Sequence, residues 1–93
     1  MGDLQRKATI VNELGLHARA ASKLVQVAGK HKVDIKIGRP DMMVDAKSIM
    51  GVLMLAACRG TELELSAHGD DADCEAALDD ISALIADKFG EGK

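Results

Sequence analysis

VDIKIGRPDMMV, residues Val33 to Val44, is the stretch on which the fold turns. Val33, Ile35 and Ile37 alternate with Asp34 and Lys36, the period of two that buries one face of a strand. Gly38-Arg39-Pro40-Asp41 then turns the chain, and Met42 to Val44 supply a short return strand.

Working outward from this hairpin, each flank adds a strand and a helix. Lys7 to Val11 is rich in β-branched residues and ends at the turn-forming Asn12 to Gly15. Ala21, Leu24, Val25 and Ala28 fall on one helical face, which predicts a helix over 18–28 with Gly29 as its stop. On the other side, Ser48 can cap a helix over Ile49–Cys58 that Gly60 closes. Leu63, Leu65 and Ala67 alternate with Glu62, Glu64 and Ser66 as a further strand. Asp71 can cap a last helix whose face carries Cys74, Ala77, Leu78, Ile81 and Ile85, with Asp73 and Glu75 early and Lys88 late. The order β-α-β-β-α-β-α predicts an α+β open-faced β-sandwich in one domain, 1–93. In it a four-stranded antiparallel sheet is covered on one side by three helices.

Composition excludes several classes of function. A net charge of −3, a single aromatic residue (Phe89) and no Trp or Tyr do not make a nucleic-acid surface. The longest uncharged apolar run, Ile49 to Cys58, is half the roughly 20 residues a membrane span needs, and the polar start Met-Gly-Asp-Leu-Gln-Arg has no signal core. A cytoplasmic chain without membrane insertion is expected. Cys58 and Cys74 lack a CxxC pattern and read as buried free thiols, and His17, His31 and His68 are not at metal-ligand spacing. Asp79, Asp80 and Asp87 read as a solvated face of the last helix.

One helix start breaks the charge rule. LGLHARAA, Leu14 to Ala21, puts His17 and Arg19 where free N–H groups already carry partial positive charge. Two bases there cost roughly 0.3–1 kcal/mol each unless an anion offsets them. Free amides together with a guanidinium fork form a site for phosphate. A helix N-terminus disfavours imidazolium, so His17 keeps a nucleophilic ring nitrogen that can carry a phosphoryl group. A surface histidine at a plain cap, beside a solvated arginine, accounts for the same residues without function.

GLHARAASKLVQ and KSIMGVLMLA, about thirty residues apart, resemble the two signatures of the HPr family, the histidine-containing phosphocarriers of the bacterial phosphotransferase system. The resemblance extends over nearly the whole chain. It implies that His17 takes phosphate on Nδ1 from enzyme I and passes it to an EIIA-type domain, in sugar uptake or its nitrogen-related branch. It also implies that Arg19 and the backbone amides of Ala18 and Arg19 steady the phosphate, and that no cofactor is bound. Ala20 departs from the family's His-Ala-Arg-Pro-Ala pattern. Ser48 matches a position that HPr kinase/phosphorylase modifies in some members, while a plain N-cap explains it equally well. Ile49, Met50 and Leu53 match the family's partner-docking surface, and core filling is the competing account of the same apolar helix. The resemblance further implies a monomer.

A second class of function uses the same surface: a regulatory module that docks on partners without relaying phosphate. An independent enzyme finds no support, since the chain holds no nucleophile-base set, P-loop or glycine fingerprint.

Overall fold

A computed structural model describes residues 2–93. Its elements are β1 (Gly2–Thr9), α1 (Ala18–Gly29), β2 (Asp34–Arg39), β3 (Met42–Asp45), α2 (Ile49–Met54), β4 (Glu62–Gly69) and α3 (Asp71–Ala86), followed by a 3-10 turn, Lys88–Gly90. The strands form one antiparallel sheet in the order β1-β4-β2-β3. This is the expected open-faced arrangement of four strands and three helices.

β4 is central and pairs on both edges. Leu63, Leu65 and Ala67 face the same side as Ala8, Arg6 and Leu4 of β1 and as Ile37 and Ile35 of β2, because directly paired residues share a face. Against that layer α1 buries Ala20, Ala21, Leu24 and Ala28, and α3 buries Cys74, Ala77, Leu78, Ile81 and Ile85. α3 lies on β1 and β4, and α1 packs against α2 and α3. Gly38 allows the β2–β3 pair to close, since a Cβ there would stand 2.0 Å from the Met42 carbonyl oxygen.

The structure moves several predicted boundaries. β1 begins at Gly2 and stops at Thr9. The charged Arg6, on the inward face between Leu4 and Ala8, hid the period in the sequence, and pairing with β4 imposes it. Ile10 lies past the strand and is fully buried, with its amide and carbonyl bonded to Thr61 and Gly60. β2 starts at Asp34, one residue later than the alternation suggested. α2 ends at Met54 instead of Cys58. The amides of Leu55 and Ala56 bond back only three residues, Ala56 takes φ +47°, and the Ala57 carbonyl turns to accept the Leu16 amide. Asp70, not Asp71, caps α3 by accepting from the Asp73 amide. Lys88 falls beyond α3, in the 3-10 turn.

One side-chain expectation also changes. Cys58 is exposed, because the early end of α2 leaves it on a surface loop, whereas Cys74 is buried. Asp79, Asp80 and Asp87 are exposed as expected, and two of them also find partners: Asp79 pairs with Arg6, and Asp80 with His31 at 2.8 Å. Ser48 is the N-cap of α2, its Oγ accepting from the Gly51 amide at 3.2 Å.

Two outcomes test this packing. Cys58 reacts with a thiol reagent in the native protein and Cys74 only on unfolding, since burial and the neighbouring Asp70, Asp71 and Asp73 push the Cys74 thiol up. Ser48→Ala lowers stability by about 1 kcal/mol in denaturant titration through loss of the cap.

Candidate functional site

The loop before α1 is held by its own polar groups. Asn12 is fully buried, and its side-chain amide donates to the Gly15 carbonyl at 2.8 Å. Gly15 has φ +70°, and a Cβ there would lie 2.7 Å from the Ala57 oxygen and 2.9 Å from the Cys58 Cα. Only glycine combines that backbone with that clearance. The Leu16 amide then bonds to the Ala57 carbonyl at 2.8 Å and delivers the next residue, His17, to the start of α1.

His17 is the N-cap of α1, with extended backbone (φ −78°, ψ 179°). Its Nδ1 accepts from the Arg19 amide at 3.3 Å. The first helical bond runs from the Ala21 amide to the His17 carbonyl, so the amides of Ala18, Arg19 and Ala20 precede any i−4 partner. Arg19 is exposed on the first turn, beside a cavity of about 510 Å³ that it shares with Lys23, Glu13, Glu91 and Lys93. The structure therefore brings together His17, Arg19 and the Ala18 and Arg19 amides. Ala20 is fully buried, a position where a small apolar residue fits.

Sequence reasoning missed Glu91. Its carboxylate pairs with Nε2 of His17 and also accepts from the Asn12 side-chain amide at 2.9 Å. The C-terminal turn that carries it contains Lys88 and Phe89 at φ 58° and 55°, flanked by Gly90 and Gly92 at 76° and 79°. Left-handed backbone at Lys88 and Phe89 costs about 1–2 kcal/mol each. Full burial of the Phe89 ring returns about 1.5–3 kcal/mol, and the Lys23 ammonium donates to the Phe89 carbonyl at 2.7 Å. Gly-Glu-Gly in the sequence signals a turn but not what its glutamate touches.

Ser48 caps α2, and Ile49, Met50 and Leu53 lie on that helix. Ile49, Met50, Leu53 and Met54 are exposed, Met50 to 68%, while Val52 is buried with Leu55 and Ala57 beyond the helix. The surplus apolar residues of α2 are thus not core filling. Leu14, 71% exposed, adds an apolar side chain in the loop before His17.

The Asn12 amide, first, and then His17 hold the Glu91 carboxyl below the usual glutamate range, against the opposing effect of burial. A depressed folded-state value means the stabilisation is complete above the ordinary carboxylate range and is lost as pH falls through the folded-state titration. Asn12→Ala moves the Glu91 titration upward, read from its carboxyl carbon shift in NMR. An unchanged titration would exclude the Asn12 bond as the main cause.

Residues 4–87 match the family model described as "PTS HPr component phosphorylation site". The chain is 52% identical over 90 residues to the phosphocarrier protein HPr of Cupriavidus necator, covering 97% of this chain and 99% of that one. It is 45% identical to the phosphocarrier protein NPr of Shewanella violacea, covering 98% of each. Its structure is similar to a crystal structure of HPr from Thermoanaerobacter tengcongensis, with TM-score 0.85, 41% identity and 98% of both chains covered. With the fold, the two signatures and near full-length relatives in agreement, the chain belongs to the HPr family of phosphocarrier proteins of the phosphotransferase system.

Proposed function

We propose that this phosphocarrier accepts a phosphoryl group on Nδ1 of His17 from phospho-enzyme I and passes it to an EIIA-type domain. The observation that carries this reading is the position of His17: it caps α1 with its Nδ1 lone pair turned toward the helix's free amides. As phosphorus approaches Nδ1, the long bond from the Arg19 amide is released, and that amide becomes a donor to a phosphoryl oxygen. The Ala18 amide and the Arg19 guanidinium add further donors, and the N-terminal charge of α1 favours the anion. Transfer of this kind depends on positioning and charge stabilisation, which a docked partner completes.

The docking surface in this reading is α2 with the loop before α1. Ile49, Met50 and Leu53, with Met54 and Leu14, offer flexible apolar contacts suited to several partners in turn. Ser48 is proposed as a regulatory phosphosite in a host that makes HPr kinase/phosphorylase. Its capping oxygen acts as an acceptor and leaves the hydroxyl proton uncommitted, and phosphate at a helix start is electrostatically favoured. The same apolar surface would also serve a docking module that relays no phosphate.

Incubation with phosphoenolpyruvate and purified enzyme I separates the two readings. The carrier reading expects one added phosphate in the intact mass, acid-labile and absent in His17→Ala. Arg19→Ala should slow transfer by about ten- to a hundredfold, the effect of removing one charge-stabilising donor at a transfer site. A folded wild-type chain that stays unmodified, beside an HPr that is phosphorylated, would leave the docking reading. Met50→Glu should weaken transfer without unfolding the chain, since the side chain is exposed.

A further inference from the structure

Nδ1 of His17 receives an N–H from Arg19, and a backbone amide can only donate. Nδ1 therefore presents its lone pair, and the ring proton of the neutral imidazole is on Nε2. The group that meets Nε2 is the carboxylate of Glu91. That carboxylate is itself fixed: its side chain is 12% exposed and its other oxygen accepts from Asn12, which is fully buried and bonded to Gly15. A chain of three side chains, Asn12 to Glu91 to His17, thus ends on the nitrogen opposite the one that faces the helix.

We infer that Glu91 is a positioning residue for phosphoryl transfer: it holds the proton on Nε2 and offsets the charge that the His17 ring acquires at Nδ1. The inference rests on the carrier reading above and adds to it the group that controls the far side of the ring. When the Nδ1 lone pair attacks phosphorus, an N–P bond forms and the bond to the donor's histidine breaks, its electron pair leaving with the donor nitrogen. The His17 ring then bears phosphorus on Nδ1 and hydrogen on Nε2, so it carries positive charge, and Glu91 faces that charge directly. In the onward step the N–P pair returns to Nδ1. Because Nε2 keeps its proton, the ring departs as neutral imidazole and not as imidazolate, a far better leaving group. An oriented carboxylate on the second ring nitrogen is a recurring way to set tautomer and basicity.

The other charged groups around the site do not replace it. Arg19 and Lys23 of α1 and Lys93 of the C-terminus are positive, and Glu13 in the loop lines the cavity without a hydrogen bond to the ring among the described residues. Lys23 is engaged by the Phe89 carbonyl, in the turn that presents Glu91.

Two variants separate this role from mere fastening of the C-terminus. Glu91→Ala removes the acceptor, and Glu91→Gln keeps an acceptor but removes the charge. In the unphosphorylated wild type, NMR should give a His17 Nε2–H resonance protected from exchange with water, and Glu91→Ala should lose it. Glu91→Gln, with its fold verified by amide spectra, should transfer phosphate about tenfold more slowly. Its phosphorylated ring should also give up the Nε2 proton at lower pH than the wild type. An Nε2–H resonance unaffected in Glu91→Ala, or wild-type transfer at every pH in Glu91→Gln, would overturn the inference. A wild type that takes no phosphate at all would instead overturn the carrier reading, while the Nε2–H measurement still decides whether Glu91 holds the proton.

Discussion

β4 is paired on both edges, and everything else in the molecule follows from covering one face of it. Leu63, Leu65 and Ala67 present an apolar row that only the amphipathic helices can remove from water. The pairing also explains why a strand as polar as β1 is regular over its full length. Its register is set by eight consecutive partners on β4, not by its own weak alternation. Once α1 and α3 cover this sheet, α1 begins with three amides free of helical partners.

That free helix end is where electrostatics and packing meet. The loop before it is shaped by Asn12 and Gly15 inside and by the carbonyl of Ala57 outside. α2 is short because its last residues leave helical geometry to supply that carbonyl. The same departure exposes Cys58. One hydrogen bond between two loops therefore relates the shape of the histidine loop to the end of the helix whose apolar residues are exposed.

The C-terminus contributes through a different force. Phe89, the largest fully buried side chain, draws the chain back over the core at the cost of two left-handed residues. Its burial brings Glu91 to His17 from the side of the ring opposite α1. The imidazole is then held between a helix end on Nδ1 and a carboxylate on Nε2. Such a ring has its Nδ1 lone pair turned toward the helix amides and its Nε2 proton held by a carboxylate.

Much of this was legible in the residues. Alternation in β2 and β4, the buried faces of α1 and α3, the cap at Ser48 and the charge anomaly at His17 and Arg19 all depend on spacings of a few residues, which backbone period and helix-end chemistry set locally. Those patterns led to the fold class and singled out the helix start at His17, while the role of the histidine came from the resemblance of the two signatures to the HPr family. The tertiary structure decided the rest: the full length of β1, the early end of α2, the exposure of Cys58 and the pairing of Glu91 with His17 across 74 positions. Each of these is a contact between distant segments, formed only when burial of apolar side chains closes the chain, and no local period encodes which groups that closure brings together.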